Sequence, residues 1–181
     1  MVERRYVKGN WLGVNLRKLP NKDMVEIREI QVDEHDFLWK MLYEAIYSPG
    51  HKLPESIINE PSIAKYAASF GQEGDYGFVL SADERLVGAA WTRLMKGENK
   101  GYGFVDDSTP ELSMAIEQNF RGKGYGQELI NRLVDKLRRH GYTQLSLSVD
   151  KRNRAFYLYQ RIGFSIIGEG ETAYTMMKKI S

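Results

Sequence analysis

Apolar and polar positions change their spacing several times along the chain, and each change marks an element. From Met24, MVEIREI predicts a first strand. Phe37, Leu38, Met41, Leu42, Ala45 and Ile46 then recur at helical spacing, with Asp33 read as the cap, Asp36 as its acidic partner and Pro49-Gly50 as the stop. After Pro61 the stripe Ile63, Tyr66, Ala67 and Phe70 predicts a second helix ending at Gly71. YGFVL at 76–80 and LVGAAWTRLM at 86–95 form a hairpin pattern around Ser81–Arg85. Lys96 to Pro110, with Gly97, Gly101, Gly103, Asp106 and Asp107, reads as a loop.

ELSMAIE then alternates, with Leu112, Met114 and Ile116 on one face and Glu111, Ser113, Ala115 and Glu117 on the other. The clearest helical stripe follows Gly124: Tyr125, Leu129, Ile130, Leu133, Val134 and Leu137 share a side, and Gly141 supplies the stop. LSLSV at 145–149 is a strand, Asn153 to Arg161 a short helix, and IGFSII and TAYTMM close the pattern. Strands and helices mixed in this way predict an α/β or α+β sheet with helices packed on it. Residues 1–23 show no sustained period and read as an N-terminal extension that packs through Tyr6, Trp11 and Leu16, leaving 24–181 as the domain.

Composition narrows this picture without naming a chemistry. With 181 residues the chain suits one domain, and 42% hydrophobic against 28% charged residues excludes a disordered polymer. A net charge of +2 argues against nucleic acid or an anionic membrane as the main partner. No segment reaches the roughly 20 apolar residues of a membrane helix, and the N-terminus has no apolar core of signal-peptide length, so a soluble cytoplasmic protein is expected. Absence of cysteine removes disulfides, zinc–thiolate sites and a cysteine nucleophile. His35, His51 and His140 stand in unrelated contexts, so no metal is expected.

Chemistry enters at Arg121-Gly122-Lys123-Gly124-Tyr125-Gly126, between a strand and an amphipathic helix. Such a turn offers unpaired peptide N–H groups and the positive end of a helix dipole to a phosphate. It is not a P-loop, because Gly122-Lys123 is followed by glycine and Glu117 stands where the first glycine would be. Gln127 stands where a dinucleotide fingerprint needs a small residue. A tight turn with no ligand is the plainer account of three glycines alone.

Arg121-x-x-Gly124-x-Gly126 resembles the acetyl-CoA pyrophosphate signature of the GCN5-related N-acetyltransferases (GNAT). Downstream, Asn153, Ala155, Tyr159 and Gly163-Phe164 resemble that family's second signature, in the same order. The resemblance is strong over Glu111 to Phe164 and extends by element order over Met24 to Lys178. It implies a GNAT fold of six or seven mostly antiparallel strands and about four helices, with acetyl-CoA in a cleft where two central strands part. By position, the backbone of Met114, Ala115 and Ile116 would hold the pantetheine arm and acetyl carbonyl. The amides of Arg121, Gly122, Lys123, Gly124, Tyr125, Gly126 and Gln127 would hold the pyrophosphate, and Asn153 the pantetheine region.

Direct acetyl transfer to an amine needs a neutral amine, a stabilised oxyanion and a proton for the departing thiolate. Tyr159 is the expected acid, since a phenol is protonated at neutral pH. The family's frequent glutamate before the Asn helix is replaced by Ser148, which leaves Glu111, at the beginning of its strand and near where an amine would enter, as the expected base. Asp106 and Asp107 are alternatives, Glu117 reads as exposed, and Tyr66, Trp91 and Tyr102 read as packing or as pocket walls. Lys100, Lys151 and Arg152 read as solvated charges or contacts to the adenosine phosphate. The acceptor would be a small-molecule or peptide amine, and a homodimer through the C-terminal strand or the extension is open. A non-catalytic acyl-CoA-binding sensor on the same fold is the alternative, with a nucleotide-binding module unrelated to CoA third.

Overall fold

The structure, a computed structural model, describes residues 24–180; the extension read over residues 1–23, with Tyr6, Trp11 and Leu16, lies outside the described residues. In chain order the elements are β1 (Val25–Glu29), α1 (Phe37–Ala45), α2 (Pro61–Ala64), β2 (Tyr76–Ala82), β3 (Arg85–Arg93), β4 (Glu111–Ile116), α3 (Tyr125–Arg139), β5 (Gln144–Asp150), α4 (Ala155–Arg161), β6 (Ser165–Glu169) and β7 (Ala173–Lys179). The strands form one sheet in the order β1-β2-β3-β4-β5-β7-β6. Every neighbouring pair is antiparallel except β4 and β5. No helix among the described residues is long and apolar enough to cross a membrane.

Alternation along the strands divides the core between two faces. Leu80, Ala90, Leu112, Leu145, Leu147 and Met176 meet the stripe Leu129, Ile130, Leu133, Val134 and Leu137 of α3. Each such Val, Leu, Ile or Met side chain, fully buried, contributes about 1.5–3 kcal/mol. On the other face Val79, Ala89, Trp91 and Ala115 meet Leu38, Met41 and Leu42 of α1, with Tyr66 and Ala67. The apolar periodicity of β2 to β5 and of α3 therefore sets a three-layer arrangement.

The expected boundaries shift where local chemistry overrides the stripe. A 3₁₀ turn over Val32–Glu34 precedes α1, so the helix starts at Phe37 and Asp33 caps nothing; instead Glu34 accepts a hydrogen bond from Gln31 N–H at 2.9 Å. The second helix is confined to Pro61–Ala64, because Arg93 ties the carbonyls of Lys65 and Ala68 and Ser69 adopts φ +52°. Tyr66 and Ala67 are buried all the same. The hairpin turn is two residues, Asp83 and Glu84 at φ +49° and +63°, shorter than the expected loop.

β4 and β5 pair at a single register position, Glu111 opposite Ser146, where Ser146 N–H donates to Pro110 at 3.0 Å. Beyond it the two central strands carry no ladder to each other, and the sheet is open between Met114 and Ser148.

Candidate active site

The gap between β4 and β5 exposes backbone on both sides. Glu117 N–H bonds Val87 at 2.8 Å, so pairs 117–87, 115–89 and 113–91 exchange hydrogen bonds and the intervening residues turn their peptide groups toward β5. Met114 N–H and C=O and Ile116 N–H therefore line the gap. Ala115 commits its peptide groups to Ala89, and Arg121 Nε takes the Ile116 carbonyl at 2.6 Å. Of the three residues assigned to the pantetheine arm, Met114 and Ile116 face the opening and Ala115 does not.

Past β4 the chain makes the glycine turn. Gly122 and Gly124 stand at φ +75° and +89°, a region costly for residues with a Cβ, and Gly124 is the N-cap of α3. The N–H groups of Gly122, Lys123, Gly124, Tyr125, Gly126 and Gln127 have no acceptor among the described residues. Arg121 is different: its N–H bonds Gln118 at 3.2 Å, and its guanidinium reaches Ile116 and, at 3.3 Å, Glu44 of α1. Its side chain clamps the turn to β4 and α1. A methyl placed on Gly126 would lie 3.4 Å from Leu158 of α4 and 3.5 Å from Met114. The turn, the open edge of β4 and α4 thus meet at one place.

On the α1 side of the same gap, the loop before β4 folds inward. Gly103 rests on β5, and a methyl there would lie 2.5 Å from Leu147 C and 2.7 Å from Ser148 N. Beneath it Glu111 is 3% exposed. Its Oε1 accepts from Tyr66 OH at 2.7 Å and Gly103 N–H at 2.8 Å, while Oε2 is occluded and unpartnered. Burial pushes the carboxyl above the usual carboxylate range, against the lowering effect of these two hydrogen bonds and of the Lys65 charge. Glu111 is consequently a covered carboxylate, not the solvated strand end that its sequence position suggests.

Tyr159 belongs to the opposite face, 8% exposed and edge-on to Phe164 with ring centroids 5.7 Å apart. Burial holds its phenol up at about 12. The structure therefore places the expected base and acid on opposite faces of the sheet, Glu111 at the one position where β4 and β5 pair. Asn153 lies between β5 and α4; its Oδ1 accepts Ala155 N–H at 2.9 Å, which leaves its amide hydrogens as the donors it can offer a ligand.

The remaining candidates have other partners. Asp106 accepts from Ser108 and Thr109 through Oδ1 and from Gln144 through Oδ2, stitching its own loop to β5. Glu117 is half-buried and paired with Lys40 at 2.7 Å and Arg85 at 2.8 Å, so it is not the exposed residue expected. Lys151 pairs with Glu169 and Arg152 with Asp150. Trp91 is fully buried, while Tyr102 is 60% exposed. Tyr47 OH donates to Arg152 C=O at 3.0 Å, which ties the segment after α1 to the far wall of the gap. That contact, with those of Glu44 and Tyr66, joins residues 105, 77 and 45 positions apart, beyond the reach of any local spacing.

Residues 25–164 match the model of the Acetyltransferase (GNAT) family. Among curated proteins, the mycothiol acetyltransferase of Propionibacterium freudenreichii is 29% identical over half of this chain and 28% of its own length. The ribosomal protein bS18 alanine N-acetyltransferase of Salmonella typhimurium is 29% identical over 53% of this chain and 60% of its own. The matches thus span less than two thirds of the length of each of these relatives. Among solved structures, the PaiA N-acetyltransferase of Thermoplasma acidophilum in complex with coenzyme A superposes with a TM-score of 0.62 at 19% identity, over 86% of this chain and 98% of that one. The Escherichia coli ribosomal-protein-S18-alanine N-acetyltransferase superposes at 0.60 and 19% identity, over 87% and 95%. These two likenesses share the fold.

Proposed function

Because the chain belongs to the acetyltransferase (GNAT) family and is an acyltransferase by that membership, we propose that it moves an acetyl group from acetyl-CoA directly onto a primary amine of a small molecule or peptide. The observation that carries the reading is the run of six free peptide N–H groups from Gly122 to Gln127, beside the open edge of β4. Two of its glycines have no atom within 4 Å of where a side chain would begin, so a diphosphate can approach the backbone. The residues fit the cosubstrate: the turn for its pyrophosphate, Met114, Ile116 and the Asn153 amide for its pantetheine arm.

Acetyl-CoA, when bound, supplies the acetyl group as an activated thioester. On the α1 face Glu111 Oε2 takes a proton from the acceptor ammonium, freeing the nitrogen lone pair. A carboxyl raised by burial is better matched to that task near neutrality than an ordinary one. Met114 N–H points into the gap as a donor for developing negative charge. From the other face Tyr159, kept protonated by burial, gives its proton to the leaving sulfur. The acceptor would be a small amine or a peptide terminus; by their names, the relatives above are a mycothiol acetyltransferase and an N-acetyltransferase of a ribosomal-protein alanine.

Acetyl-CoA at a hundredfold excess over its Kd is expected to stabilise the fold by about 2.7 kcal/mol, and ATP or NAD not at all. No stabilisation by acetyl-CoA would sink the reading. CoA release is then followed across an amine panel that includes an N-terminal alanine peptide. Stabilisation without release for any amine would favour a non-catalytic acyl-CoA-binding sensor. Tyr159→Phe is expected to lower kcat about a hundredfold with acetyl-CoA affinity little changed, and full activity would remove it as the acid.

A further inference from the structure

We infer that Tyr66 is a positioning residue for Glu111: with Gly103 N–H it fixes Oε1, so that Oε2, beneath Gly101, is the oxygen that exchanges a proton with the acceptor amine. The inference rests on Glu111 being the base. Tyr66 is itself held at both ends. Its carbonyl accepts Trp91 Nε1–H at 2.8 Å, and its hydroxyl accepts Tyr102 N–H at 2.6 Å while donating to Glu111 Oε1 at 2.7 Å. A hydroxyl that accepts a backbone N–H has its own hydrogen directed at the carboxylate. Burial and the neighbouring Glu111 charge push the phenol far above its ordinary range, so it donates at every working pH.

The second donor to Oε1, Gly103 N–H, comes from the loop that also covers Oε2. Two donors on one oxygen leave the other the more basic, and that oxygen is the occluded, unpartnered one. A side chain on Gly101 would collide with Oε2 and would lie 2.7 Å from Tyr66 OH, so glycine lets the loop close directly over the proton site. Access of an amine to Oε2 therefore requires Gly101 to move, while Tyr66, anchored on Trp91 from the sheet, keeps Oε1 in place.

The groups around Glu111 are few. From the segment after α2 come Tyr66 and Lys65, whose ammonium bonds Lys100 C=O and lies over Tyr102. The loop contributes Tyr102, stacked on Tyr66, and Lys100, whose ammonium lies over Phe104. On β3 the paired Arg93 is turned to Asp75 and to backbone carbonyls, and on β5 Ser146 points to Pro110 C=O. Tyr66 is thus the side chain through which the proton affinity of Glu111 is adjusted.

The test follows the acid limb of kcat/KM against pH and, separately, the Glu111 carboxyl carbon by NMR titration in the full chain. Tyr66→Phe removes a bond to the carboxylate, so both are expected to move up by about one pH unit, with the high-pH rate within a few-fold and KM for acetyl-CoA unchanged. Should that variant not fold, 3-fluorotyrosine at position 66, a stronger donor, is expected to move both down. If neither moves, Tyr66 merely packs and the inference fails. If the carboxyl titration moves and the rate profile does not, Glu111 is not the base, and both that assignment and the positioning role fall, while acetyl transfer itself stands on CoA release.

Discussion

Glu111 and Glu117 bracket β4, and the fold gives the two carboxylates opposite proton affinities. Burial raises both. At Glu117 the ion pairs with Lys40 of α1 and Arg85 of β3 outweigh it and the carboxyl is held below its ordinary range. At Glu111 no cation is bonded, the two hydrogen bonds fall on one oxygen, and burial prevails. Burial alone does not decide the sign; what decides it is whether neighbouring elements bring a cation within contact. Glu117 is thereby an anchor that ties α1 to the sheet, and Glu111 is a group poised to take a proton. The same strand thus ends in structure at one side of the gap and in chemistry at the other.

The largest way to break the contrast is to lift the cover from Glu111. Gly103→Ala places a methyl 2.5 Å from Leu147 C and 2.7 Å from Ser148 N, backbone atoms that cannot turn aside. Overpacking of this kind costs about 1–3 kcal/mol, or roughly 2–4 °C of Tm per kcal/mol in a chain of this size. The variant is also expected to lose the Gly103–Glu111 bond and, by raising the carboxyl further, to lower activity near neutrality, while acetyl-CoA binding is kept. Calorimetry and a binding titration check this. A Tm within a degree of the parent would mean that the loop is not packed in the gap. Gly122→Ala is the companion on the cofactor side, where space is open and the cost is the φ of +75° alone, about 1 kcal/mol.

That pair of glycines also marks the limit of what the chain's pattern conveys. The cofactor turn is legible because strand, glycines and helix stripe are consecutive, and peptide N–H groups need no distant partner to be free. The same holds for α3, whose stripe and stop at Gly141 place the helix over Tyr125–Arg139. Glu111 reads as a strand-end carboxylate until Tyr66, 45 residues earlier, and Gly103 close over it. Glu117 reads as exposed until Lys40 arrives from 77 residues away. Asp33 fits a capping pattern, but Glu34 reaches back to Gln31 and the 3₁₀ turn wins. Ala115 shares a sequence signature with Met114, yet strand alternation turns its peptide groups to β3. What is lost in each case is the long-range partner or the pleat, not the local propensity.

Proton linkage sharpens the contrast next. Glu111 binds its proton more tightly folded than unfolded, so its contribution to stability is complete below the ordinary carboxylate pKa and is lost as pH rises through the folded value. Glu111→Gln removes that titration. The stability of the variant relative to the parent is therefore expected to grow as pH rises from the ordinary carboxylate pKa through the folded value, with a slope of at most about 1.4 kcal/mol per pH unit, the limit for one proton. Melting curves across that range decide it, and a pH-independent difference would mean that Glu111 is solvated in the folded state.

Glu117 supplies the smallest effect and the opposite sign. Its folded carboxyl is lowered by Lys40 and Arg85 beyond what burial raises it, so its contribution is present above the ordinary pKa and disappears as pH falls through the folded value. Lys40 and Arg85 are themselves more than half exposed, which keeps the pairs within the reach of solvent and salt. Glu117→Gln is expected to cost about 0.5–1 kcal/mol near pH 7, less in 1 M salt, and nothing once the pH is low enough to protonate the carboxyl in both states. Activity should be near that of the parent, since Glu117 bonds neither the turn nor Glu111. A cost that persisted unchanged at low pH would show that the residue stabilises by packing, and the two ends of β4 would then differ in burial rather than in the cations that face them.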